Sequence, residues 1–235
     1  MSTIREQHPP PPPDRRRLRI LLMYVLPSLI ALFVVLMPLL STVSVLPRIR
    51  ISPGFALLDQ RGETLTNAEL HGDIAVFGLV SLKCDRNCAA TLDAMREAAA
   101  QANVVTGEPD QPGLKLIAIV VDPVEDAQRL ADFAAERGLD SKGWSVVSGS
   151  AATVRALVSS GFEVHLATLA GGTVHDPAVF LTDHAGILRA EYRTGNPRSS
   201  TIAADIDRIL NEANSGAVGG LLYNAAHSLS LSCGT

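Results

Sequence analysis

Ile74-Ala-Val-Phe-Gly-Leu-Val80 runs directly into Ser81-Leu-Lys-Cys84-Asp-Arg-Asn-Cys88. The first seven residues are an unbroken apolar run of strand length, the pattern of a strand covered on both faces. The Ala-, Leu-, Met- and Glu-rich stretch Ala89–Val105 that follows reads as a helix. A buried strand thus ends in a pair of cysteines that opens a helix.

Outward from that junction the chain alternates between strand and helix. Phe55–Leu58 and a short piece near Thr64 flank the turn Asp59-Gln60-Arg61-Gly62, and Leu114–Val121 is a second buried strand. A helix is expected from Pro123 to about Arg137, with Gly138 as its stop and Asp122 as its cap, although Asp122 could also shape a functional site. Trp144–Val147 is a short strand, with Trp144 expected against the sheet edge, and Ser150 caps a helix to about Ser160. Ala178–Thr182 and Ile187–Tyr192 bracket a turn at Gly186 as a hairpin, and Ser199–Glu212 is the last helix. This order predicts an α/β domain of three layers around a central mixed sheet, a thioredoxin-like order that other three-layer folds can share.

The first fifty residues have a different character. Five prolines, Pro9 to Pro13, predict an extended segment without packing. Arg15, Arg16, Arg17 and Arg19 precede 21 uncharged residues, Ile20 to Leu40. At about 1.5 Å per residue that run spans roughly 32 Å, close to a hydrocarbon core. It is longer than the apolar region of a cleaved signal peptide and lacks a small-residue cleavage site, so a retained anchor is the better reading. Five arginines before the run and only Arg48 and Arg50 after it place the N-terminus in the cytoplasm. The expected organisation is a cytoplasmic tail over 1–19, a transmembrane anchor over 20–42, a linker over 43–52, the folded domain over 53–212 and a weakly ordered tail over 213–235. The domain would lie in the periplasm, and the lack of an Arg/Ser-rich amphipathic presequence favours a bacterial inner membrane.

Composition narrows the function. The 235 residues are 47% hydrophobic and 19% charged, which argues against wholesale disorder. The net charge of −4 divides unevenly: residues 1–50 carry +5 and residues 51–235 carry −9. So acidic a domain is a poor phosphate binder, and no nucleic-acid partner is expected. Walker, G-x-G-x-x-G, H-E-x-x-H and G-x-S-x-G patterns are all missing, which leaves nucleotide, zinc-protease and serine-hydrolase readings without support.

Three cysteines exclude a disulfide scaffold and direct attention to Cys84 and Cys88. On a helical turn, residues four apart share a face, so the two thiols can close a disulfide or grip one soft metal ion. The helix N-terminus, Lys83 and Arg86 favour the thiolate forms. His175, 87 residues further on and just before the Ala178 strand, would lie beside the cysteine turn in such a fold and offer an imidazole. Pro177 has two readings: a cis-proline beside the pair, as in thiol–disulfide reductases, or a plain strand-start proline. Cys233, His165, His71, His184 and His227 have no ligand set around them in the sequence, although Cys233 is the odd thiol and His165 lies ten residues from His175.

These residues together resemble the Sco/SenC family, membrane-anchored copper chaperones for cytochrome c oxidase assembly. The resemblance runs from about Phe55 to Leu210. It includes the Phe55–Gly62 hairpin, the C-x₃-C of Cys84 and Cys88, Val121-Asp122-Pro123 with Asp126, and His175 before Ala178–Gly186. It departs from the family pattern at Ala89, where a proline is usual, at Gly78–Leu82, where aromatics are usual, and at Val174, where an aspartate is usual. The resemblance implies Cys84, Cys88 and His175 as ligands of Cu(I) or Cu(II), and transfer to an oxidase subunit or other copper protein by ligand exchange rather than turnover. A thiol reductant protein is implied as a further partner, because the pair must be reduced before it loads metal. Two other readings stand beside this one. One is a thiol–disulfide oxidoreductase in which Cys84, the more exposed thiol, attacks and Cys88 resolves. The other is a redox-inert binding module docking through its acidic surface, which leaves the Cys, Cys, His set unexplained.

Overall fold

The computed structural model describes residues 23–32, 46–102, 112–169 and 172–213. The chain divides into two units, Met1–Ser44 and Val45–Thr235. In the first, residues 23–32 form helix α1, with apolar side chains such as Leu26, Leu29 and Leu32 exposed. Among the described residues no helix is long and apolar enough to cross a membrane. The rest of the expected anchor, the polyproline segment and the C-terminal tail with His227 and Cys233 lie outside the described residues.

The second unit is built on one eight-stranded sheet. Its strands are β1 (Arg50–Ile51), β2 (Ala56–Asp59), β3 (Thr64–Thr66), β4 (Ile74–Val80), β5 (Leu114–Val120), β6 (Trp144–Ser148), β9 (Val179–Thr182) and β10 (Ile187–Tyr192). They lie in the order β1-β10-β9-β4-β5-β6-β2-β3. β4, β5 and β6 run parallel, and β9, β10, β1, β2 and β3 add antiparallel pairings on either side. β7 (Leu166–Leu169) and β8 (Gly172–His175) form a separate two-stranded hairpin. The helices are α2 (Arg86–Gln101), α3 (Ala127–Arg137), α4 (Ala151–Arg155) and α5 (residues 199–213), and α4 runs on as a π-helical turn, Ala156–Gly161.

All seven residues of β4 are buried, which is why this strand reads as a continuous apolar run. Its side chains alternate between two cores. Ile74, Val76 and Val80 join Leu92, Met95, Leu130, Phe133, Ile202 and Ile206 of the helices on one face. Ala75, Phe77 and Leu79 join Phe55, Leu157, Phe162 and Phe180 on the other. Phe162 stacks on Phe180 at 4.3 Å and Phe77 meets Phe55 edge-on at 6.0 Å, so the second core is held largely by aromatic packing. Between β4 and α2, Gly78 keeps the two elements close. A methyl group there would collide with Met95 Sδ and sit 3.0 Å from Thr91 Cγ2.

The far end of the sheet is locked by a buried arginine. Arg189 pairs with Asp183 at 2.8 Å and with Glu212 of α5, and it donates to the carbonyls of Leu46 and Pro47. Burial works against its charge, but Glu212 and Asp183 outweigh that and hold the guanidinium above the ordinary arginine value. One side chain thus gathers the entry strand, the β9–β10 turn and the last helix. The Tyr192 hydroxyl donates to Asp205 at 2.6 Å and fastens α5 to β10. Burial first, and then that hydrogen bond, push the Tyr192 hydroxyl above the ordinary tyrosine value.

Several expectations need correction. The 43–52 stretch, read as a linker, contains β1, which pairs with β10. The helix expected from Pro123 begins at Ala127, and Asp126, not Asp122, caps it by accepting from Gln128 N. α2 begins at Arg86 rather than Ala89, because Asp85 accepts from Cys88 N and starts the helix early. Trp144 is not at a sheet edge: β6 is an interior strand, and the indole is buried in the helix-side core. The β7–β8 hairpin lies where the sequence suggested only loop. The stops and caps at Gly138, which adopts a left-handed φ of 63°, and at Ser150 agree with expectation.

Two substitutions test this packing. Gly78→Ala overpacks the β4–α2 contact and is expected to cost about 1–3 kcal/mol in chemical denaturation. Arg189→Leu leaves the Asp183 carboxylate buried without its cation and is expected to cost about 3–5 kcal/mol in the same assay.

Candidate metal and redox site

Four chain segments meet at one edge of the sheet, and topology brings them there. β4 and β5 are parallel, so both emit their C-terminal residues on that edge. β9 is antiparallel to β4, with Gly78 opposite Val179, so β9 begins there. β10 is antiparallel to β9, with Tyr192 opposite Val179, so β10 ends there. The segments arriving are the cysteine loop after β4, Asp122 after β5, the residues from His175 to Ala178 before β9, and Arg193–Gly195 after β10. The crevice beyond the carboxyl ends of parallel strands is where α/β sheets commonly bind ligands.

Cys84 and Cys88 form a disulfide with an S–S distance of 2.00 Å and a Cα–Cα distance of 5.0 Å. The two cysteines do not share a regular helical turn. Cys84 precedes the Asp85 cap and has a φ of 39°, in the left-handed region, while Cys88 lies in the first turn of α2. Such a φ is costly for a non-glycine residue and is held here by a turn, in which Cys84 N donates to Ser81 O at 3.0 Å. Cys84 is 9% exposed and Cys88 2%, so Cys84 is the more accessible residue of the pair, as the sequence order suggested. The residues between them, Asp85, Arg86 and Asn87, are exposed.

His175 is the last residue of β8, half-buried, and pairs across the hairpin with Leu166. Its Nδ1 lies 3.0 Å from the carbonyl oxygen of Asp176. A carbonyl only accepts, so Nδ1 is the donor in this contact, and Nε2 is the ring nitrogen that the contact leaves open. Metal-binding histidines are commonly oriented in this way, by a backbone carbonyl on the nitrogen that does not bind the metal.

Among the described residues, no three His, Cys, Asp or Glu side chains are gathered closely enough to hold a metal ion. With the sulfurs bonded to each other, no thiolate is available. Two electrons and two protons would convert the disulfide into the pair of thiols that a soft metal requires.

The walls of the site are well defined. A methyl group on Gly195 would lie 2.9 Å from Asn87 Oδ1 and 3.6 Å from Pro177 Cγ, so the β10 exit loop packs against both the cysteine turn and the histidine segment. Asp176, Pro177, Ala178, Arg193, Thr194 and Gly195 line a cleft of roughly 300 Å³. Arg193 donates to the carbonyls of Phe162 and Glu163 and lies over the Phe180 ring, which fixes that wall. Among the described residues no peptide bond is cis, so Pro177 is the plain strand-start proline.

Asp122, read from the sequence as a helix cap that could also shape the site, links the cysteine loop to the histidine hairpin. Its spacing from Cys84 gave no reason to place it near the pair, yet its Oδ2 accepts from Leu82 N at 2.7 Å. Its Oδ1 accepts from Thr173 N of β8 at 3.0 Å. An aspartate at the end of an apolar strand, just before a proline, was the available signal, and it was equally that of a helix cap. His165 lies outside β7, with its carbonyl accepting from Asp176 N. His71 Nδ1 contacts the carbonyl of His184, on the Gly72 side of the molecule and away from the cysteines.

The family model for SCO1/SenC matches residues 45–211. No curated protein matches the chain. Among solved structures, Arabidopsis thaliana ScoI with copper bound superposes with a TM-score of 0.58 at 16% identity, covering 69% of this chain and 99% of that one. Bradyrhizobium japonicum ScoI with copper bound gives 0.55 at 19% identity, covering 68% and 99%. BsSco, described as a member of the Sco family of cytochrome c oxidase assembly proteins with a disulfide switch, gives 0.58 at 18% identity, covering 71% and 98%. At these identities the structural likeness concerns the fold, which is the thioredoxin-like architecture expected from the element order. The family-model match extends over most of the chain, and the chain belongs to the SCO1/SenC family.

Proposed function

We propose that this chain is a copper-binding protein of cytochrome c oxidase assembly, with Cys84, Cys88 and His175 as the ligands and copper as its cargo. The observation that carries the reading is the meeting of the cysteine loop and the histidine segment at one sheet edge, around Gly195 and Asp122. The donor set fits. Two thiolates suit Cu(I), two thiolates with one imidazole also hold Cu(II), and Nε2 of His175 is the nitrogen free to bind. The copper-bound structures of the Arabidopsis and Bradyrhizobium proteins support the choice of metal.

The protein's own part in transfer is positional. Cys84 stands at the surface end of the pair and is the first sulfur an acceptor's ligand can replace, whereas Cys88 is anchored in the first turn of α2. Delivery by stepwise ligand exchange to an oxidase subunit or other copper protein follows from that asymmetry. We further propose that residues 20–42 anchor the chain in a bacterial inner membrane, with the N-terminus cytoplasmic and the folded domain in the periplasm. An oxidising compartment of that kind suits a disulfide resting state.

The disulfide itself favours a second reading, thiol–disulfide exchange. In the reduced protein the Cys84 thiolate would attack a partner disulfide and release one partner thiolate. Cys88 would then attack Cys84 in the mixed disulfide, release the second partner thiol and restore the Cys84–Cys88 bond. A thiol reductant protein would return the pair to the dithiol, which is also the form that loads copper.

Copper titration of the full chain, purified in detergent, separates the readings. The reduced protein is expected to bind one equivalent, the oxidised protein none. Cys84→Ser, Cys88→Ser and His175→Ala are each expected to weaken binding at least about tenfold, and either Cys→Ser change removes or shifts the thiolate-to-Cu(II) absorption. Unchanged stoichiometry and affinity in Cys84→Ser and His175→Ala would refute the ligand set. No copper binding, with a disulfide that equilibrates with a partner dithiol, would leave the oxidoreductase.

A further inference from the structure

Leu82 lies two residues before Cys84, and Thr173 lies two residues before His175. The backbone amides of both donate to Asp122, one to each carboxylate oxygen, at 2.7 and 3.0 Å. The two donors are remote in sequence from Asp122 and from each other. One belongs to the loop after β4, the other to a hairpin that forms its own sheet.

The platform under Asp122 is rigid. Val121 N donates to Val80 O at 2.8 Å, so the ends of β4 and β5 are joined immediately beneath the cysteine loop. The buried Ser148 hydroxyl accepts from Val124 N and lies 2.9 Å from Asp122 O and 3.0 Å from Val120 O. On the hairpin side, Thr173 and His175 are two apart on one strand, so their side chains share a face and a fixed Thr173 fixes the phase of His175.

We infer that Asp122 is a positioning residue: its carboxylate holds the cysteine loop and the histidine hairpin in register, so that two sulfurs and one imidazole converge when the disulfide is reduced. The inference rests on the copper reading for its consequence and on the two hydrogen bonds for its geometry. A carboxylate is the side chain the arrangement requires. It presents two acceptors, whereas an asparagine presents one acceptor and one donor, and the donor would face an N–H. Asp122→Asn therefore keeps one of the two links and loses the other.

The test uses Asp122→Asn, Thr173→Pro and the double variant, each in the full chain. Thr173→Pro removes the hairpin's donor and leaves the Leu82 link untouched, so it also serves if Asp122→Asn fails to fold. Amide hydrogen exchange is measured on the oxidised proteins without metal. Asp122→Asn is expected to speed exchange by about tenfold or more at whichever of residues 82–84 or 172–175 loses its link, and Thr173→Pro to do so over 172–175, while exchange over 172–175 in the double variant is expected to be no faster than in Thr173→Pro. In the reduced proteins, copper affinity is expected to fall about 10–100-fold with the thiolate-to-Cu(II) band kept, because both sulfurs remain. Unchanged exchange at both segments in Asp122→Asn, unchanged exchange across the hairpin in Thr173→Pro, or faster hairpin exchange in the double variant than in Thr173→Pro, overturns the inference. So does undiminished copper affinity in Asp122→Asn when the wild type binds copper. If the wild type binds no copper, the copper reading fails and the exchange comparison alone decides the positioning role.

Discussion

The parallel pairing of β4 with β5 runs without a break from Ile74–Leu114 to Val80–Val120. From Val76 and Leu116 onward both strands are covered on each face, so their backbone groups there have only each other and their sheet neighbours as partners. The ladder fixes where both strands end, and those ends are where the cysteine loop and Asp122 emerge. β9 and β10 then follow from antiparallel pairing and deliver the histidine segment and the Gly195 loop to the same edge. The site is a consequence of where the strands end more than of any contact between its own side chains.

The cysteine loop adds a local layer of constraint. Asp85 caps α2 by accepting from Cys88 N, which places the second cysteine in the first helical turn. Cys84 takes a left-handed backbone so that the chain turns from strand into helix. The three residues between the sulfurs remain exposed while the sulfurs are nearly buried. A partner would meet the exposed turn before it met the sulfur, and Cys84 is the sulfur it would reach first. Cys84 and His175 belong to elements that Asp122 joins and that Gly195 packs against, so their spacing is set by backbone groups and a carboxylate rather than by long flexible side chains.

Much of this was legible in the sequence. Ile74–Val80 coincides with β4, because full burial on both faces leaves an unbroken apolar signature. Leu114–Val121 is one residue longer than β5, and the hairpin at Gly186 and the stop at Gly138 were equally plain. The cysteine pair was visible from its place after a buried strand. The β7–β8 hairpin was not, because Leu166–Leu169 and Gly172–His175 carry small and polar residues with little apolar alternation. Asp122 was read first as a helix cap for a physical reason: an aspartate directly before Pro123 suits one, and its actual partners, Leu82 N and Thr173 N, lie 40 and 51 residues away. Local pattern cannot register a side chain whose acceptors are filled by remote backbone. The early start of α2 was missed because capping by Asp85 competes with the appearance of a cysteine loop.

In the proposed copper site, two sulfurs and one imidazole from this end of the sheet converge on one copper ion. X-ray absorption at the copper edge of the reduced, singly loaded protein tests it most directly. The account predicts a first shell of two sulfur atoms with one imidazole nitrogen, the imidazole contribution disappearing in His175→Ala while the sulfurs remain. A shell of nitrogen and oxygen alone, or a spectrum that His175→Ala leaves unchanged, would contradict it.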